Sequence, residues 1–204
     1  MAPEKVKVFV VDDDRSVRQS ISLLLVSAGY EVETFSGSDE LLAIGHADDP
    51  GCILLDIFLE GKSGLEVQEE LTRKFEHLPI IYITGQGSIP MSVQAFRKGA
   101  VNFLQKPVDD SQLLEAVEEA IIESRSKITH VAENNRVHGL IKKLTRREYD
   151  VFRLLITGLL NKQIAGILDI AEQTVKIHRG KITEKLGVKS VAEIVHIAEK
   201  AGLL

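Results

Sequence analysis

Four short runs in the first half of the chain, Val6 to Val11, Cys52 to Leu55, Ile80 to Ile83 and Asn102 to Gln105, each lead into a polar or charged residue. Three of them are apolar stretches of the kind that form strands buried on both faces of a parallel sheet. Glu31 to Phe35 alternates and predicts a further strand. Between the strands, apolar residues recur at helical spacing. Val17, Ile21, Leu24, Leu25 and Ala28 mark one helix face, with Gly29 as its stop. Further helices are expected over 38–46, 64–75 and 90–98, the last ending at Gly99, and Asp109 opens another. The pattern is five strand-helix units, an α/β doubly wound sheet.

From Asp110 to His138 there is neither Gly nor Pro, and Leu113, Leu114, Val117, Ala120, Ile121, Ile128 and Val131 recur near helical spacing. A long helix running on as a connector fits this stretch, as does a flexible tract around 132–136. The expected organisation is a domain over 1–123, a helical linker over 124–140 and a second domain over 141–204, sizes in keeping with ordinary domains. In that last part, Thr145 with Glu148 and Ser190 with Glu193 are capping-box pairs placed before apolar sets. Gly158, Gly187 and Gly202 fall where helices would stop. Helices over 161–168 and 172–186, joined by a turn around Asp169 to Ala171, form a helix-turn-helix by spacing inside a four-helix, all-α unit.

Charge sharpens the division. Residues 1–124 hold 10 Lys and Arg against 22 Asp and Glu, a net −12, whereas residues 140–204 hold 12 against 7, a net +5. An acidic first half suits a divalent cation, and a basic last third suits nucleic acid or simply a solvated face. The one cysteine, Cys52, sits inside a strand run and is expected to be a buried, inert thiol. With no apolar stretch near membrane-span length and no signal-peptide pattern, the expectation is a cytoplasmic protein without membrane association.

The polar residues at the strand ends, Asp12, Asp13, Asp56, Thr84 and Lys106, should converge, because the crevice of an open α/β sheet lies outside the carboxyl ends of its strands. Their chemistry is that of a phosphoryl acceptor. A carboxylate approaching a phosphoryl group meets another anion, and unit charges about 4 Å apart repel by roughly 4 kcal/mol at an effective dielectric near 20. A cation is therefore needed. Asp12, Asp13 and Asp56 supply the hard oxygens that Mg²⁺ prefers. Lys106 would neutralise a phosphoryl oxygen, and Thr84 would donate to one. Asp56, alone at the end of the central strand, is the expected nucleophile. Asp12 to Asp14 also reads as a helix N-cap.

These residues, with VVDDD at 10–14, LLD at 54–56, SGLE at 63–66, the segment from Ile83 to Pro107, LTRRE at 144–148, NKQIA at 161–165 and TVKIHRGKI at 174–182, resemble a two-component response regulator of the FixJ type. Such a protein joins a receiver domain to a LuxR-type helix-turn-helix. The resemblance implies a sheet of order 2-1-3-4-5, a phosphoacceptor at Asp56, a metal held by Asp12, Asp13, Asp56 and the Phe58 backbone carbonyl, and phosphate contacts from Thr84 and Lys106. It also implies a cis bond before Pro107 and a switch aromatic at Phe103. In the effector, Lys176, Ile177 and Gly180 would face bases, Thr174, Arg179 and Lys181 lie close to bases or phosphates, and Lys162, Lys185 and Lys189 suit backbone phosphate. The implied partners are a sensor histidine kinase, double-stranded promoter DNA, a second copy on phosphorylation, and RNA polymerase. The chain is read as a transcription regulator and not an enzyme. An aspartyl-phosphate phosphohydrolase would want a second carboxylate where Phe58 stands. A phosphorylation-independent DNA-binding protein is the other rival.

Two departures from the family pattern stand out. Leu59-Glu60 replaces the usual Met-Pro pair, which makes the loop after Asp56 more acidic. Ala171 replaces the serine that usually caps the recognition helix, a cap worth about 1 kcal/mol.

Overall fold

The computed structural model describes residues 5–85 and 89–204, so Gln86, Gly87 and Ser88 of the segment from Ile83 to Pro107 lie outside the described residues. Strands β1 (Lys7–Val11), β2 (Glu31–Phe35), β3 (Gly51–Asp56), β4 (Ile80–Thr84) and β5 (Asn102–Gln105) pair in parallel in the order β2-β1-β3-β4-β5. Helices α1 (Arg15–Ser27), α2 (Ser38–Ala43), α3 (Gly64–Lys74) and α4 (Ile89–Arg97) make the crossovers, and α5 (Asp110–Ile141) follows β5. The expected sheet order is the observed one.

Alternation along the strands feeds two apolar layers. Val8, Val10, Cys52, Leu54, Ile81 and Ile83 pack with α1 and α5 through Ile21, Leu25, Leu113 and Val117. Phe9, Val11, Ile53, Leu55 and Tyr82 face the other way, onto Leu41 of α2, Leu71 of α3 and Ala95 of α4. Each large side chain so buried contributes about 1.5–3 kcal/mol. Cys52 is fully buried, which pushes its thiol pKa up to about 12 and keeps it inert. Two glycines are set by close approach: a Cβ on Gly51 would fall on the Lys7 carbonyl, and one on Gly64 would lie 2.4 Å from the Asp56 carbonyl oxygen.

Helix α2 stops at Ala43, short of the expected residue 46, because Ile44 turns to an extended ψ of 150° and packs against the Phe9 layer. The expected linker is helical throughout, as part of α5. The chain divides into compact units between Thr129 and His130, within that helix. In the second unit the end of α5 packs with α6 (Arg146–Ile156), α7 (Asn161–Leu168), α8 (Glu172–Leu186) and α9 (Val191–Lys200) around Val137, Phe152, Leu155, Ile164, Val175, Ile182 and Ile194. The capping box at Thr145 and Glu148 is present in full. At α9, Ser190 accepts from the Glu193 N–H as expected, while the Glu193 carboxylate accepts from the Lys189 N–H one residue earlier. Among the described residues no helix is long and apolar enough to cross a membrane.

Candidate phosphoacceptor site and nucleic-acid interface

Register places the polar strand ends together. Val11 pairs with Leu55, Asp56 with Ile83, and Thr84 with Gln105, so the residues that follow or end these strands emerge along one edge of the sheet. There Asp12, Asp56 and Thr84 are buried, and Asp13 is exposed. Lys106 Nζ donates to Asp12 Oδ2 and to Asp56 Oδ2, both at 2.6 Å. The Asp14 N–H donates to Asp12 Oδ1 at 2.9 Å, and the Phe58 N–H to Asp56 Oδ1 at 3.0 Å. Asp13, Asp14, Asp56, Phe58, Gly85 and Lys106 line an open cleft of about 440 Å³.

Burial raises the pKa of Asp12, an effect that the Lys106 and Asp14 hydrogen bonds oppose. Burial by itself would depress Lys106, but its two carboxylate partners outweigh that and hold the ammonium charged. Carboxylate oxygens of Asp12, Asp13 and Asp56 lie within 4.8 Å of one another, an all-oxygen set of the kind a hard divalent cation takes. Phe103 is half-buried on β5 opposite Tyr82 and against the Phe9 layer, and the Lys106-Pro107 bond is cis, as the sequence resemblance implied.

In the second unit, α8 turns Val175, Ile182 and Leu186 into the core and leaves Lys176, Ile177, Gly180 and Lys181 exposed. Lys162 on α7 and Lys189 after α8 are also exposed, while Thr174 and Arg179 are half-buried. Arg179 donates to the Asn161 side chain on α7. Lys185 is placed differently from the other lysines. Its ammonium donates to buried Glu148 at 2.6 Å and to the Lys143 carbonyl at 3.2 Å, so it ties α8 to the start of α6 and is already paired where the other lysines are open to solvent. Glu148, held by Lys185 and by the Thr145 N–H, has its pKa lowered to about 2.

Residues 8–118 match the response regulator receiver domain, and residues 142–198 match the bacterial regulatory proteins of the luxR family. The chain belongs to the response regulators. The regulator is 43% identical to nodulation protein W of Bradyrhizobium diazoefficiens over 99% of its own length and 89% of that protein. It is 36% identical to the transcriptional regulatory protein FixJ of Azorhizobium caulinodans, covering 98% of this chain and 95% of that one. Among solved structures, the response regulator StyR superimposes with a TM-score of 0.83 at 45% identity, over 96% of this chain and 99% of that one. The regulator thus joins a receiver domain to a LuxR-type DNA-binding domain. The first implies a sensor kinase as partner, the second DNA.

Arg18 escaped the sequence reading, which shows Asp14 only as one of a capping triplet. Arg18 donates to the Asp12 backbone carbonyl, and Asp14 caps α1 by accepting from the Ser16 and Val17 N–H groups while its own N–H holds Asp12. Asp14 therefore serves the capping role weighed for the whole acidic triplet, and Asp12, buried behind it, joins Asp13 and Asp56 in the acidic cluster. Arg18 acts through a backbone oxygen, so the sequence carries no signal of it.

Proposed function

We propose that the regulator accepts a phosphoryl group on Asp56 from a sensor histidine kinase, and that this controls its binding to promoter DNA. The clustering of Asp12, Asp13 and Asp56 around Lys106, with Asp13, Asp56 and Lys106 lining an open cleft and buried Thr84 ending the next strand, carries this reading. An Asp56 carboxylate oxygen attacks phosphorus in line, the bond from phosphorus to the donor nitrogen breaks, and that nitrogen keeps the electron pair. Asp12, Asp13, Asp56 and the Phe58 carbonyl would hold Mg²⁺, which when bound offsets the repulsion between carboxylate and phosphoryl group. Lys106 leaves Asp56 Oδ2 for a phosphoryl oxygen, and Thr84 donates to another.

Thr84 and Phe103, on neighbouring strands, then reposition the face formed by α4 and β5, which pairs two receivers. Paired effectors bind half-sites one helical turn apart, with Lys176 and Ile177 at bases, Thr174, Arg179 and Lys181 close by, and Lys162 and Lys189 on phosphate. Contact with RNA polymerase and activation of transcription complete the scheme, in a cytoplasmic protein. We place the receiver at 1–123, the connecting helix at 124–140 and the DNA-binding domain at 141–204, with the stretch from His130 packing as part of the second unit.

The test is phosphoryl incorporation from a small-molecule phosphodonor, read by mass spectrometry of the intact chain and by lability to hydroxylamine. The reading expects one acyl phosphate, lost with EDTA and in Asp56→Asn. Undiminished incorporation in Asp56→Asn would overturn the assignment.

A further inference from the structure

The outward face of α8 begins at Gln173, one residue before Thr174 and about one turn before Ile177. At 3.6 residues per turn, Gln173, Ile177, Gly180 and Glu184 fall in one line along the helix, opposite buried Val175, Ile182 and Leu186. All four are exposed, Ile177 to 52%, and Lys176 and Lys181 flank the line on either side. The last two of the four offer less to a base. Gly180 presents bare backbone, with nothing within 4 Å of the place a Cβ would take, and Glu184 carries a charge that phosphate repels.

Arg179, the nearest long side chain able to replace a missing contact at Gly180, is turned toward α7 by its bond to Asn161. Base reading therefore concentrates in the first turns of α8. In that stretch Gln173 is the exposed carboxamide, whose separate donor and acceptor groups are the pattern that pairs bidentately with adenine N6 and N7 in the major groove, while the Thr174 hydroxyl next to it is half-buried. Among the described residues no hydrogen bond engages its amide. Its backbone is fixed, because the Thr174 and Val175 N–H groups close the first turn onto the Ala171 carbonyl.

We propose that Gln173 is a specificity-determining residue of the DNA-binding domain and selects an adenine in each half-site. This rests on the DNA-binding reading above. Ile177, one turn on, suits the methyl group of a thymine, and Lys176 a guanine, so the favoured half-site carries all three features close together.

The experiment is selection from a pool of randomised duplexes by the full chain with Mg²⁺ and beryllofluoride, for the native protein, Gln173→Ala and Gln173→Glu. Circular dichroism and affinity for an unselected duplex serve as controls. The native chain should recover a half-site with one adenine whose preference falls by about tenfold in Gln173→Ala, other positions holding, and moves toward cytosine in Gln173→Glu. Unchanged preferences in both variants would overturn the proposal while leaving DNA binding intact. A uniform loss at every position makes Gln173 structural and overturns it too. A native chain that recovers no sequence overturns the DNA-recognition reading, and this inference with it.

Discussion

Lys106 Nζ lies 2.6 Å from Asp56 Oδ2, on the carboxylate that the proposed chemistry needs as its nucleophile. The same nitrogen lies 2.6 Å from Asp12, so one ammonium neutralises two buried carboxylates from two other strand ends. Removing it in Lys106→Met leaves both anions facing each other, at a cost of about 1–2 kcal/mol once partial exposure is allowed for. A bound divalent cation would take over much of that neutralisation. Urea unfolding should therefore show a larger loss for Lys106→Met in EDTA than in millimolar Mg²⁺, and equal losses would mean that the cluster does not bind the ion.

Gly64 opens α3 directly over the Asp56 carbonyl, and an added Cβ would stand 2.4 Å from that oxygen. Backbone cannot give way as a flexible side chain can. Gly64→Ala should cost about 2 kcal/mol or more and lower the rate of phosphoryl acceptance. A variant with native stability and native rate would show that α3 is free to shift.

Glu148 ties α6 to α8 through Lys185 and has its pKa lowered from the ordinary 4.5 to about 2. Its contribution is present in full above about pH 4.5 and is lost as the pH falls toward 2. Glu148→Gln should cost the DNA-binding domain about 2 kcal/mol at neutral pH, and the difference from the native chain should shrink steadily between those two values. A difference that does not vary with pH would place the effect of the substitution in packing.

Ala171 sits at the N-cap of α8 with extended backbone and no side-chain cap. A serine fits that φ and ψ, and Ala171→Ser should stabilise the domain by about 1 kcal/mol, seen as a raised thermal midpoint of the DNA-binding domain. No gain would mean that the first-turn N–H groups are already satisfied by water.

The strands and the helix-turn-helix were legible in the sequence because they are punctuated. Asp12, Asp56 and Thr84 close apolar runs too short for helices and rich in Val and Ile, and α7 and α8 lie either side of an αL turn at Asp169, with a second αL stop at Gly187. What was not legible depends on contacts between distant residues. Lys185 looks like any surface lysine until α6 brings buried Glu148 beside it. Val137 lies in a tract of mixed polarity, and only packing beneath α6 to α9 makes it a core residue. Arg18 acts through a backbone carbonyl, which leaves no trace in side-chain pattern.

The most direct test of the central claim is the oligomeric state and the affinity for a common duplex, measured together by sedimentation and fluorescence anisotropy. Native chain and Asp56→Asn are compared in Mg²⁺ with and without beryllofluoride. The account predicts that beryllofluoride raises both dimer content and affinity in the native chain and neither in Asp56→Asn. A native chain whose association and affinity are the same in both conditions would contradict it and leave a constitutive DNA-binding protein.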